Sequence, residues 1–261
     1  MRIIRIVLRH RLRVNSRMDT TFWIIATFVL AGIVKGVSGM GLPTVAMGVL
    51  GLVMPPVAAA SLMLVPSFVT NVWQLWSGAH LASLWRRLWL MMAGIFAGTV
   101  AGAALLADGQ AGWTTPALGA ALVVYASYTL LARPLHVPAR LEPWLSPLMG
   151  VATGIITGGT GVLVVPAVPY LQSLGLQRDD LVQALGLSFT VSTVALAAGL
   201  VWHGAFDAAR LGWSAVAVVP ALLGMWLGQM LRSRISPPLF RRGFLLCLLV
   251  LGGELLLRAW R

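Results

Sequence analysis

Apolar residues run along this chain in blocks long enough to cross a bilayer, separated by short polar breaks. A membrane helix needs about 20 such residues at a rise of about 1.5 Å each. The first block, 22–55, is too long for one straight helix, and Gly36, Gly39, Gly41 and Pro43 fall inside it. It predicts a broken helix, or a helix followed by a re-entrant piece. Further blocks follow at 57–77, 88–107 and 116–132. A proline-bearing loop, 133–146, precedes a second glycine-broken block at 147–172, and three more blocks occupy 181–202, 213–231 and 243–257. The pattern predicts an all-α polytopic membrane protein. It would have about eight transmembrane helices in two repeated four-helix halves, 22–132 and 147–257. Each half would open on a glycine-broken or re-entrant segment. A linker at 133–146 would join the halves, with a basic tail at 1–21 and a short basic end at 258–261.

Composition agrees. The chain is 59% hydrophobic and 10% charged, with mean hydropathy +0.88, whereas soluble proteins carry about 25% charged residues. The net charge of +12 would suit nucleic acid, but the arginines sit between apolar blocks, the pattern of membrane topology. With eight full crossings, the arginines at 86, 87, 133, 140, 210, 258 and 261 would share the cytoplasmic side with those of the N-terminal tail. Those at 178, 232, 234, 241 and 242 would be outside, and thirteen inside against five outside supports a cytoplasmic N-terminus by the positive-inside rule. The tail alternates arginine with Ile, Val and Leu, as an interfacial helix or a charged leader would, and Met18 could also initiate. No clear small-residue cleavage site follows, so the first span is read as uncleaved. Gly94, Gly98 and Gly102 form one ridge for close helix packing. Trp76, Trp85 and Trp89 anchor a loop at the interface. The lone cysteine, Cys247, is a small core or lipid-facing residue.

Candidate chemistry centres on Lys35, the only lysine. A charge inside a span costs at least ~2.5–3.5 kcal/mol, so it faces a cavity or a partner, unless it snorkels to the surface. A straight helix from Phe22 puts Lys35 about 20 Å deep, beyond the midplane. Its compact ammonium suits a small oxyanion. Gly36, Gly39 and Gly41 correspond loosely to Gly154, Gly159 and Gly161, with Gly158 extra. Helices interrupted there would aim a positive N-terminus and backbone amides at an anion. Close helix packing is the alternative use of the same glycines. The following helix of each half is polar: Ser61, Ser67, Thr70, Asn71 and Gln74 in the first, and Ser188, Thr190, Ser192 and Thr193 in the second. Asn71 and Gln74 share a helix face with Ser67, able to line a pathway or bridge helices. Asp108, Asp179, Asp180, Asp207 and Glu142 fall in loops, and Glu254 in the last helix is expected to snorkel or to pair with Arg258. No carboxylate offers a proton relay inside the membrane. His10, His80, His136 and His203 have no metal-ligand spacing, and no nucleotide loop or catalytic triad is present. Neither enzyme chemistry nor a cofactor is expected.

These motifs resemble the sulfite exporter TauE/SafE family, also called the toluene-sulfonate uptake permease family. The resemblance covers residues 22 to 257. It rests on the glycine run from Gly32 to Gly41, the P-x-x-x-x-N-x-x-Q motif from Pro66 to Gln74, and the glycines from Gly150 to Gly161 that lead to Pro166 and the A-L-G-L-S stretch at 184–188. The first run departs from the family's triple glycine, with Met40 and Leu42 filling positions. The resemblance implies an inner-membrane carrier of small sulfur-containing or organic anions. The expected binding site comprises Lys35, Gly39, Gly41, Asn71, Gln74, Gly158, Gly159, Gly161 and Ser188. It would work by alternating access near the midplane, with a small anion and the lipid bilayer as partners and no nucleic acid. A membrane assembly protein whose polar residues only glue helices is the other reading kept open.

Overall fold

The computed structural model describes residues 21–108, 112–131, 136–232, 234 and 236–258. The regular elements among them are helices. In chain order these are α1 (Thr21–Ser38), α2 (Leu42–Leu50), α3 (Pro56–Trp76), α4 (Leu81–Ala107), α5 (Thr114–Leu131), α6 (Glu142–Thr160), α7 (Ala167–Ser173) and α8 (Arg178–Trp202). A 3-10 turn at Ala208–Arg210 leads to α9 (Leu211–Val216), α10 (Val218–Arg232) and α11 (Pro237–Arg258). Six stretches are long and apolar enough to cross a membrane: α1, α3, α4, α5, α8 and Ala208–Arg232, which holds α9 and α10. The helices α6 and α11 have comparable lengths of 19 and 22 residues. Glycine, threonine and proline lower the hydropathy of α6, and α11 carries Arg241, Arg242, Glu254 and Arg258. Apart from Thr21 and Arg258, the basic tail and the C-terminal end lie outside the described residues.

Several helices begin earlier than the apolar blocks. The supposed interfacial loop with Trp85, Arg86 and Arg87 is the first part of α4, since no glycine or proline interrupts 81–93 and Leu84 and Leu88 are buried on one stripe. Helix α6 opens at Glu142 instead of Pro147. Pro143 fits the first turn, where its missing N–H has no intrahelical partner to lose. Asp179 and Asp180 belong to the first turn of α8, where carboxylates oppose the helix dipole favourably.

The two glycine breaks reverse the chain. Gly39 (φ 76°) and Gly41 (φ 105°) hold left-handed backbone between α1 and α2, a conformation in which a Cβ is strained. Gly39 O lies against Gln74 near the end of α3. Beyond α2, Gly51 packs near Leu118 and Leu255, and Leu52 O accepts from Arg258 at the opposite end of the bundle. Helices α1 and α3 therefore run parallel. In the second half Gly161 (φ 73°) ends α6, and α7 returns until Ser173 O accepts the Val137 N–H at 3.0 Å. This overturns the sidedness expected from eight simple crossings. Arg86, Arg87 and Arg140 sit at the end opposite Thr21, together with Arg178, Arg232, Arg241 and Arg242, because α2 takes the chain back before α3 begins.

Small residues set which helices meet. A Cβ on Gly98 would fall 2.6 Å from Val151 O, and one on Gly158 2.4 Å from Thr99 O, so α4 and α6 touch backbone to backbone. Helices α1 and α10 do the same. A Cβ on Gly36 would fall 2.2 Å from Met225 O and one on Gly228 2.3 Å from Ile33 O. Such ridges allow the close approach that drives helix association in lipid. Helix α1 thus packs on α10 and α6 on α4, while α3 meets α8 and α5 meets α11. Asn71 and Thr193, which hydrogen-bond each other across α3 and α8, are 122 residues apart. The same separation of 122 positions falls between Gly32 and Gly154, Gly36 and Gly158, and Gly39 and Gly161.

Candidate functional site

Lys35 sits one turn before the end of α1 and is 3% exposed. The left-handed turn at Gly39 is the local cause of its position, because it stops α1 with Gly39 N–H donating to Lys35 O at 2.8 Å. Ser38 Oγ donates to Val34 O at 2.7 Å and accepts the Met40 N–H at 3.3 Å. The amides of Gly39 and Met40 are therefore already bonded in this conformation. The ammonium is aimed at α3, not at the outer surface. Its Nζ donates to Thr70 Oγ1 at 3.2 Å and to Asn71 Oδ1. Both partners are neutral, and among the described residues no carboxylate forms an ion pair with Lys35. The carbonyl end of the α1 dipole offsets part of the charge.

The partners are themselves fixed. Asn71 Nδ2 donates to Thr193 Oγ1 of α8 at 3.3 Å, and Thr193 donates to Phe189 O at 2.7 Å. Thr70 donates to Pro66 O at 2.8 Å. Pro66 has no N–H for Leu62 O, and Ser214 of α9 fills that gap. Its hydroxyl donates to Leu62 O at 2.7 Å and accepts the Val65 N–H at 3.1 Å. Gln74, one turn above Asn71, donates through Nε2 to Gly39 O at 2.8 Å and Val182 O at 2.9 Å. It ties the glycine turn to both central helices. Gln183 completes the rim. It donates to Leu75 O and Gly78 O, each at 2.8 Å, and accepts the His80 N–H at 3.0 Å.

A cavity of about 360 Å³ opens beside this group, lined by Lys35, Ser38, Gly39, Gln74, Arg178 and Arg232 among others. Asp179, on the exposed first turn of α8, is the acidic residue in that lining. The lining gathers one ammonium and two guanidinium groups around a space that suits a small anion, while its amide and hydroxyl donors are bonded within the protein in this conformation. Among the described residues no three His, Cys, Asp or Glu side chains come together as a metal site would need.

The expected site residues separate into two groups. Lys35, Gly39, Asn71 and Gln74 are together, and Gly41 lies beside them against Val34 and Phe244. Ser188 is buried on α8, one turn from Ser192, and both hydroxyls, like Ser67 Oγ and Gln74 Oε1, have no partner among the described residues. The second-half glycines lie elsewhere. Gly158 is packed on the α4 backbone, Gly159 faces Leu105, and a Cβ on Gly161 would strike Met47 of α2. Sequence reasoning missed Arg178 and Arg232 as lining residues, having assigned them only to loops. The sequence held no signal for them, because only the fold brings the start of α8 and the end of α10 to the bundle end where α1 turns.

A family model described as sulfite exporter TauE/SafE matches residues 24–255. A probable sulfite/organosulfonate exporter TauE of Cupriavidus necator is 26% identical over 243 residues, covering 92% of this chain and 90% of its own. No solved structure matches the chain.

Proposed function

Since the chain belongs to the sulfite exporter TauE/SafE family, we propose that it is a secondary transporter of a small sulfur-containing or organic anion, such as sulfite or a sulfonate. The observation that carries this is Lys35, a buried cation held by neutral partners at the wall of a cavity. A charge removed from water without a counter-charge is costly, and an oxyanion arriving in the cavity supplies one. The bacterial inner membrane is the place for such a carrier.

The mechanism follows from the two halves. Eight long helices form two sets of four, each opening on a segment that doubles back at a glycine. An odd number of passes per half makes the second set inverted relative to the first, the architecture of carriers that alternate access about a central site. Asn71 and Thr193, equivalent by the 122-residue spacing and bonded to each other, lie where a two-fold axis relating the halves would pass. Lys35 supplies charge and Asn71 and Gln74 supply hydrogen bonds. Gly39 and Gly41 form the turn that lets the anion approach backbone. The unpartnered hydroxyls of Ser67, Ser188 and Ser192 provide donors for the path, and Gly158, Gly159 and Gly161 shape the second half against which the first moves.

Purified protein in liposomes tests the proposal. A sulfite or methanesulfonate gradient should drive flux, and Lys35→Met should lower it by at least about a hundredfold, equivalent to about 2.7 kcal/mol, while the variant stays monodisperse. Wild-type liposomes that carry neither anion would return the chain to the helix-gluing alternative.

A further inference from the structure

Ser38, Arg178 and Arg232 line the Lys35 cavity and also a second, adjoining cleft of about 230 Å³. Arg241 of α11 joins them there, with Tyr125 of α5 and the rings of Phe240 and Phe244 as walls. The three arginines come from three separate helices: the first residue of α8, the last of α10 and the early part of α11. Among the described residues no carboxylate lines this cleft, and Asp179 is the acidic residue of the adjoining cavity. The ion pairs among the described residues are His80–Asp180, Arg87–Glu142, Arg210–Asp207 and Arg258–Glu254, so none of the three is neutralised. Like charges gathered without a counter-ion repel one another, and a guanidinium fork is matched in shape to an oxyanion.

We propose that the adjoining cleft is a second anion site, which loads the oxyanion group and exchanges it with the Lys35 cavity, with Arg178 and Arg232 shared between the two. This rests on the anion-transport reading above. The two cavities meet at residues common to both linings, so an anion leaving Arg241 stays within reach of a cation along the way. Steering by such a basic mouth raises the local anion concentration and weakens with added salt. Arg241 acts in loading, whereas Lys35 acts in translocation. A phosphate of an anionic lipid headgroup has the same chemistry and could take the same guanidinium groups.

The test uses the full chain purified in lipid-free non-ionic detergent, then reconstituted in vesicles with and without phosphatidylglycerol. The Lys35→Met protein should still bind sulfite saturably by calorimetry, and adding Arg241→Gln should weaken that binding about tenfold. In flux assays on the wild-type background, Arg241→Gln should raise KM about tenfold with the maximal rate kept, since loading and not the transported state is affected. Unchanged KM together with no anion binding in the Lys35→Met protein would overturn the proposal. So would an Arg241 effect confined to vesicles containing phosphatidylglycerol, which would identify a lipid headgroup as the occupant. If wild-type vesicles show no flux while the Arg241-dependent binding persists, transport fails and the anion site stands.

Discussion

The turn at Gly39 and the turn at Gly161 are the same backbone device used in two environments. Both glycines have φ near 75°, at 76° and 73°, and both end the first helix of their half. Around Gly39, an added Cβ would meet only Val182, at 3.9 Å, and the turn borders the Lys35 cavity. Around Gly161 it would meet Met47 Cε at 2.7 Å, and Val162, Leu163 and Val164 after it are buried. One turn before each glycine stands Lys35 in the first half and Thr157 in the second, 122 positions apart like the bonded pair Asn71 and Thr193. Geometry is repeated and chemistry is not. The glycines that set packing occur at both turns, whereas the buried lysine and a cavity at the glycine itself occur only at the first among the described residues. On the proposed two-repeat reading, the charged turn is one-sided: the first turn borders the cavity and the second is its packed counterpart.

The largest effect should come from breaking what the halves share. Gly36→Leu and Gly158→Leu each drive a side chain into the backbone of a neighbouring helix, where no rotamer change relieves it. Overpacking costs about 1–3 kcal/mol even where side chains can shift, and here carbonyl oxygens stand in the way. Both variants should lose the monodisperse peak in detergent chromatography. If one folds and the other does not, the packing equivalence of α1–α10 and α4–α6 is wrong.

A smaller effect should separate what the halves do not share. Thr157 Oγ1 donates to Val162 O at 3.2 Å, so Thr157→Val removes one buried bond and should cost about 1 kcal/mol of stability. Flux should stay within about threefold of wild type, as expected of a change far from the transported anion. Lys35→Met should move the other way, with a raised thermal midpoint, because replacing a buried charge by an apolar side chain is often neutral or stabilising. Loss of flux in Thr157→Val with folding intact would make the second half a working binding site and end the one-sided account.

How much of this was legible beforehand depended on the type of residue. Lys35 stood out because a lone charge in an apolar run has few explanations, and Asn71 and Gln74 because their spacing puts them on one face. The ridge of Gly94, Gly98 and Gly102 packs as its period predicts. Gly158 could not be sorted, since a glycine that permits close packing and one that permits a left-handed turn are the same letter. The direction of the chain after Gly39 was equally hidden, because an apolar block reads alike whether it crosses once or doubles back, and the arginine count failed with it. Arg178 and Arg232 looked like loop charges because only the folded bundle brings the ends of α8 and α10 beside α1. Ser214 had no signal at all, as its partner is a carbonyl freed by a proline on another helix.

The finest distinction is between the two turns themselves. Gly39→Ala and Gly161→Ala both place a Cβ in left-handed backbone, at a cost of about 1–2 kcal/mol each. Only at Gly161 must a neighbour also give way, and that neighbour is a methionine whose flexible end can move. Gly161→Ala should therefore be the less stable of the two by about 1 kcal/mol, read as the difference in thermal midpoint of the purified proteins. Adding Met47→Ala should close part of that gap for Gly161→Ala relative to Met47→Ala alone, and should do nothing of the kind for Gly39→Ala. Equal midpoints for the two alanine variants, with no coupling to Met47, would mean that the second turn is as open as the first, and the contrast between a cavity-lining turn and a packed one would be lost.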